Sequence, residues 1–259
     1  MTLAAIIFDW AGTMVDFGSL APVDAMRAAF EAEGVAVNDV EIRAGMGLPK
    51  RDHVQTLFAA PRVAAAWRAA HGEAPGEAET DQIFQALEPL MQQAGAQRAD
   101  LIPGVLETVR ILRARDLRIG STTGYTRAMM APIADRAAAL GYAPDVIVCA
   151  GETQIGRPSP LMIWKALADM SVWPTSAVVK VDDAPAGIAE GKNAGCLTIG
   201  VAASGNALGL EYSDFLALEL AQRDARLTSA RVALLAAGAD LVIDTVADLP
   251  AALVARGLI

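Results

Sequence analysis

Six short strand-like runs, separated by segments too long for hairpins, constrain this fold more than any other feature. They lie at residues 3–8, 118–124, 145–150, 177–181, 196–201 and 241–244. Most read as continuous apolar stretches, as expected of strands buried on both faces. From the second run onward they alternate with helical patterns at 105–117, 127–140, 160–170 and 185–194, and with a long one at 212–237. Such alternation predicts an α/β fold, a parallel sheet with right-handed crossovers and helices on both sides. In such sheets function sits beyond the carboxyl ends of the strands.

The interval after the first run breaks that rhythm. Apolar residues recur there at three- and four-residue spacing (Ala25, Ala29, Phe30; Val54, Leu57, Phe58; Ile83, Leu87, Met91) without strand-like alternation. This reads as a helical insertion over residues 22–101, with residues 1–21 and 102–259 forming the sheet-containing core. A length of 259 residues suits one large domain carrying such an insertion.

Charge narrows the partners. With 21 Lys plus Arg against 30 Asp plus Glu, the net charge of -9 argues against nucleic acid and anionic membranes, which need a basic surface. No apolar window escapes interruption by charge for the length of a membrane span. Cys149 and Cys196 show no metal-ligand spacing and read as buried thiols; with no export signal at the N-terminus, a reducing cytoplasm is the expected compartment. There are only four lysines (Lys50, Lys165, Lys180, Lys192) and two histidines, His53 and His71, so chemistry needing an amine or imidazole has few carriers. His71, in a Gly- and Glu-rich stretch, reads as exposed loop.

Four strand ends deliver polar groups: Asp9, then Thr122 and Thr123, then Arg157, then Asp182 and Asp183. Singly, each has an ordinary explanation as a turn, cap or surface ion pair. Together on one sheet edge they supply a carboxylate nucleophile, hydroxyl donors, a cation and acids for a divalent metal, the parts of a phosphoryl-transfer site.

This order resembles the haloacid dehalogenase superfamily, whose first motif here is Asp9-Trp10-Ala11-Gly12-Thr13. Met46-Gly47-Leu48-Pro49-Lys50-Arg51-Asp52-His53, Thr122-Thr123-Gly124-Tyr125-Thr126-Arg127 and Gly156-Arg157-Pro158 extend the resemblance to the phosphonoacetaldehyde hydrolase family. It implies a doubly wound, Rossmann-like core with an α-helical cap, and Mg2+-dependent cleavage of phosphonoacetaldehyde to acetaldehyde and phosphate by a homodimer. Residue by residue, it implies Asp9 as nucleophile, Lys50 as imine-forming amine and His53 in proton transfer. Thr123, Tyr125 and Arg157 would contact substrate, and Asp9, the Ala11 carbonyl and Asp183 would hold the metal.

The residues agree with that implication at one point of chemistry. Related phosphatases carry a general acid two residues after the nucleophile, where this chain has Ala11, so an alkoxide leaving group would lack its proton donor. A carbon leaving group needs an electron sink instead, which an imine on Lys50 supplies. Two departures stand out: Gly187, where the superfamily often has another acid, and Ser19, where some relatives have a cysteine. The alternatives are a phosphate-monoester phosphatase and a non-catalytic phosphate-ligand scaffold that has lost its metal.

Overall fold

The computed structural model describes residues 3–259. Its sheet has six strands, β1 (Ala5–Phe8), β2 (Arg118–Thr123), β3 (Val146–Cys149), β4 (Val178–Asp182), β5 (Leu197–Val201) and β6 (Leu241–Ile243). All pairings are parallel, as the alternation predicts, and the order β3-β2-β1-β4-β5-β6 is the doubly wound arrangement that the resemblance implies. The two-residue period of a strand sorts side chains to opposite faces. Ile6, Phe8, Val179 and Val181 join one apolar cluster, while Ala5, Ile7 and Val178 join a second one on the other side. Both faces are therefore buried, which explains the continuous apolar runs.

Helices α6 (Val105–Arg113), α7 (Arg127–Ala139), α8 (Leu161–Asp169), α9 (Pro185–Ala194) and α12 (Leu249–Ala255) belong to this layered part. The long helix expected at 212–237 is instead two, here named α10 (Tyr212–Ala217) and α11 (Leu220–Ala236). Leu218 and Glu219 adopt extended backbone between them. Neither is glycine or proline, so no breaker residue announced the interruption. None of the helices described is long and apolar enough to cross a membrane.

Between β1 and α6 lie α1 (Ala21–Ala32), α2 (Asp39–Ala44), α3 (Lys50–Ala59), α4 (Pro61–His71) and α5 (Glu77–Gln97). The outgoing and returning segments run side by side: Val15 and Leu101 form an antiparallel bridge, and the Ile102 N–H donates to the Met14 carbonyl at 2.9 Å. Helix α5 packs along α1 and also onto α7, so it ties the insertion to the sheet layers. His71 is not in a loop; it ends α4 and stacks on Trp67, with ring centroids 4.1 Å apart.

The two thiols are buried as expected. Burial pushes Cys149 up to about 11 and Cys196 up to about 12, so both stay protonated at neutral pH.

Candidate active site

Strand register assembles the centre. Phe8 pairs with Ser121 on one side and Val181 on the other, so Asp9, one residue further along, emerges between Thr122 and Asp182. Its N–H continues the ladder to the Val181 carbonyl at 3.0 Å. Beyond these strand ends lies a cavity of about 20 Å³, lined by Asp9, Ala11, Lys50, Thr123, Tyr125, Arg157 and Asp183 among others. That volume holds roughly one water.

The insertion forms the roof of this cavity. Lys50 is the first residue of α3, after Pro49, and the preceding loop sits directly on the core. A β-carbon on Gly124 would lie 2.4 Å from the Leu48 carbonyl oxygen, and one on Gly156 would lie 2.5 Å from Pro49 Cγ. Glycine at these two positions is what allows the loop to approach closely enough to lower Lys50 into the cavity.

Arg157 holds the floor together. Its Nε pairs with Glu190 Oε2 at 2.9 Å, Nη1 with Asp9 Oδ1 at 2.9 Å, and Nη2 donates to the Thr122 carbonyl at 2.6 Å. Lys180 lies beside it, its Nζ 2.9 Å from Thr122 Oγ1, 3.0 Å from Asp182 Oδ2 and 3.4 Å from Glu190 Oε2. Thr122, expected to offer a hydroxyl, spends it on Glu190 at 2.9 Å and faces this network. Thr123 does line the cavity; its Oγ1 accepts the Tyr125 N–H at 3.2 Å, which leaves its own O–H free to donate. The buried Tyr125 hydroxyl has no partner among the described residues, and burial raises its pKa.

Lys180 and Glu190 were not singled out as functional from the sequence. A lysine within an apolar strand run was the available signal, because an amine so placed must find buried partners.

Lys50 has no such partners. Although buried, its ammonium has no hydrogen bond or ion pair among the described residues, only the Tyr125 ring with its centroid 4.9 Å away. Burial, reinforced by the Arg157 charge and opposed by Asp9 and Asp183, pulls its pKa down to about 8. Its place at a helix N-terminus also disfavours positive charge. His53, one turn further along α3, does not line the cavity. Its Nε2 donates to the Ile42 carbonyl at 2.6 Å, leaving Nδ1 unpartnered. Burial and the Lys50 charge depress it to about 3, so the ring is neutral at physiological pH.

The acidic groups crowd together. One oxygen each from Asp9, Asp182 and Asp183 lie within 4.8 Å of one another. Burial first, then the Asp182 charge, pushes Asp9 up to about 6; burial and the neighbouring aspartates raise Asp183 as well. Asp183 is fixed by the Asn206 N–H at 2.7 Å.

Comparison with known proteins places this geometry. A family model described as haloacid dehalogenase-like hydrolase matches residues 3–195. The chain is 49% identical over 245 residues to a phosphonoacetaldehyde hydrolase of Paraburkholderia phytofirmans, covering 95% of this chain and 92% of that protein. This chain belongs to the phosphonoacetaldehyde hydrolase family. A family member from Paraburkholderia xenovorans is 47% identical over 95% of this chain and 92% of its own. The crystal structure of a phosphonoacetaldehyde hydrolase-like protein from Oleispira antarctica superposes with a TM-score of 0.98 at 38% identity, covering 100% of this chain and 94% of that one. The fold is thus that of a haloacid dehalogenase-like hydrolase.

The donor set fits the Mg2+ that the wider hydrolase family uses. Hard carboxylate oxygens converge, and Ala11, which lines the same cavity, has a carbonyl that accepts no hydrogen bond among the described residues. A divalent cation would also relieve the mutual repulsion that raises Asp9 and Asp183.

The contrast between Lys50, which has no ion partner among the described residues, and Arg157, which pairs with Asp9, Asp182 and Glu190, predicts opposite effects on stability. Lys50→Met should stabilise the fold at pH 7 by on the order of 1–3 kcal/mol, since a depressed lysine pKa destabilises folding wherever the amine is charged in the unfolded chain. That advantage should shrink as pH rises from about 8 towards the ordinary lysine value, 10.5. Arg157→Met should instead lose about 3–5 kcal/mol, because it strands buried carboxylates. Urea denaturation of both variants at pH 7 and 10 measures this.

Proposed function

We propose that this chain hydrolyses the carbon–phosphorus bond of phosphonoacetaldehyde, giving acetaldehyde and phosphate through an imine on Lys50 and an aspartyl phosphate on Asp9. The observation that carries the proposal is the pairing of groups in one cavity: an amine without an ion partner opposite a carboxylate held at one oxygen by arginine.

In this reading Lys50 Nζ adds to the aldehyde carbon, and loss of water gives the imine, which is protonated on nitrogen. Asp9 Oδ2 attacks phosphorus while Arg157 holds Oδ1. The carbon–phosphorus electron pair moves into the iminium and leaves a neutral enamine, so no free carbanion forms. Protonation of the enamine carbon and hydrolysis of the resulting iminium release acetaldehyde and restore Lys50; water cleaves the aspartyl phosphate.

Arg157 Nη1 and the Thr123 hydroxyl contact the phosphonate, and Tyr125 walls the aldehyde side. Mg2+ held by Asp9, Asp183 and the Ala11 carbonyl would offset the repulsion between an anionic phosphonate and an attacking carboxylate. His53, which the resemblance assigns to proton transfer, lies outside the cavity with Nε2 bound to the Ile42 carbonyl and its pKa held down to about 3, so no step is routed through it. A cavity of about 20 Å³ is too small for the substrate, so the Lys50-bearing insertion, acting as a cap over residues 22–101, must open to admit it and close to complete the site.

A phosphate-monoester phosphatase is disfavoured by Ala11, which leaves no acid beside the leaving oxygen. A metal-free scaffold is disfavoured by the buried carboxylate cluster. The proposal extends to a cytoplasmic homodimer acting in 2-aminoethylphosphonate breakdown, downstream of a reaction that converts an amine to the aldehyde.

Borohydride added with phosphonoacetaldehyde should attach an ethyl group to Lys50, seen by peptide mass spectrometry and absent in Lys50→Arg. An unmodified Lys50 in inactivated protein would contradict the imine. Because only the neutral amine attacks, kcat/KM should rise with pH through an ionisation near 8. At pH 7 about one tenth of Lys50 is then neutral, against about one in a few thousand for an ordinary lysine. A pH–rate profile with no ionisation near that value would contradict the assignment.

A further inference from the structure

Helix α2 carries an arginine whose guanidinium leaves the insertion and docks on the core. Arg43 Nη1 donates to the Gly18 carbonyl at 3.1 Å, the Asn206 carbonyl at 3.2 Å and Asn206 Oδ1 at 3.0 Å, and Nη2 reaches the Gly209 carbonyl at 3.5 Å. Asn206 Nδ2 donates back to the Arg43 carbonyl at 3.3 Å. A β-carbon on Gly209 would lie 2.5 Å from Arg43 Cζ, so glycine there leaves the room in which the guanidinium lies against the backbone. The receiving segment, residues 202–211 between β5 and α10, is fixed to the core. Ser204 Oγ donates to the Gly12 carbonyl, the Gly18 N–H to the Ser204 carbonyl, and the Asn206 N–H to Asp183 Oδ2, each at 2.7 Å. All the acceptors that Arg43 meets are neutral.

We propose that Arg43 and Asn206 form a latch that holds the insertion closed and seats Lys50 in the cavity. Helix α2 runs through residues 45–49 straight into Lys50, and the Ile42 carbonyl holds His53 of α3 at 2.6 Å. Arg43 and Lys50 therefore belong to one unit, and a movement that lifts Lys50 from the cavity carries Arg43 away from Asn206. Closing restores both contacts together. Because the Asn206 N–H is also the donor that fixes Asp183, the latch docks on the segment that orients a core carboxylate of the site. Arg43 does not line the cavity, so it is a positioning residue. Its half-buried guanidinium and neutral acceptors can take up water when the domains part, whereas a buried ion pair of the Arg157 kind resists separation. This rests on the reading above that the insertion opens and closes.

Lys50 reactivity reads the position of the insertion without turnover. The full-length wild type, Arg43→Ala, Asn206→Ala, the double variant and Arg43→Lys are treated with limiting acetic anhydride, and peptide mass spectrometry compares Lys50 with the exposed Lys192 of α9. In either alanine variant Lys50 should be acylated about tenfold faster or more, with Lys192 unchanged. The double variant should add little to either single one, because both remove the same contact. Arg43→Lys, which reaches fewer acceptors, should recover part of the protection. Thermal melting checks each fold; if Arg43→Ala does not fold, Asn206→Ala, which keeps the backbone N–H to Asp183, decides. Wild-type protection of Lys50 in folded Asn206→Ala, with only a lowered melting temperature, would overturn the latch, as would fully additive effects in the double variant. The expected labelling in a wild type that releases no acetaldehyde would support the latch and overturn the catalytic reading. Lys50 inert in every protein while Lys192 reacts would overturn the latch and the opening of the insertion together.

Discussion

The guanidinium of Arg157 is the constraint on which the rest of the site depends. It binds Glu190 of α9, Asp9 after β1 and the carbonyl of Thr122 on β2, and its Nη1 reaches the Gly47 carbonyl of the insertion at 3.4 Å. Burial opposes its charge, but Glu190, Asp182 and Asp9 outweigh that effect and keep it cationic. A planar cation with fixed donor directions suits this junction, whereas an ammonium would leave donors and acceptors mismatched. The orientation of the Asp9 carboxylate thus follows from a network that spans three strands, one helix and the insertion loop.

Against that network, the isolation of Lys50 gains meaning. The chain buries two amines within one region and treats them oppositely. Lys180 is surrounded by Thr122, Asp182 and Glu190, and so serves as a structural charge. Lys50 meets an aromatic face, and burial makes its neutral form accessible. A buried ammonium without an ion partner is a cost that a purely structural position would shed by substitution, and it is compatible with an amine kept for nucleophilic work.

Much of the fold was legible because both-face burial writes itself as apolar runs, and the parallel sheet followed from their alternation with helices. The break between α10 and α11 was not, since Leu218 and Glu219 are ordinary helix-compatible residues whose extended backbone is set by surroundings. In the site, the strand-end positions of Asp9, Thr123, Arg157 and Asp183 converge as the order of motifs implies. Lys50 joins them only through the seating of the insertion loop on Gly124 and Gly156, a long-range contact no local pattern encodes. His53 shows the limit of spacing: sharing a helix turn with Lys50 does not bring its ring to the cavity, because Nε2 is engaged by Ile42. Gly187 read as a missing acid, yet its space is filled by the Asp182 carboxylate arriving from the neighbouring strand.

In the proposed reaction a lysine amine, and not a general acid beside the nucleophile, provides for the leaving group. Acetaldehyde and phosphate release from phosphonoacetaldehyde, followed beside hydrolysis of a simple phosphate monoester in wild type and Lys50→Arg, tests it most directly. The expected result is equal amounts of acetaldehyde and phosphate from the wild type with Mg2+, abolition in Lys50→Arg, and slow monoester hydrolysis in both. Rapid monoester hydrolysis, or acetaldehyde release that survives in Lys50→Arg, would contradict it.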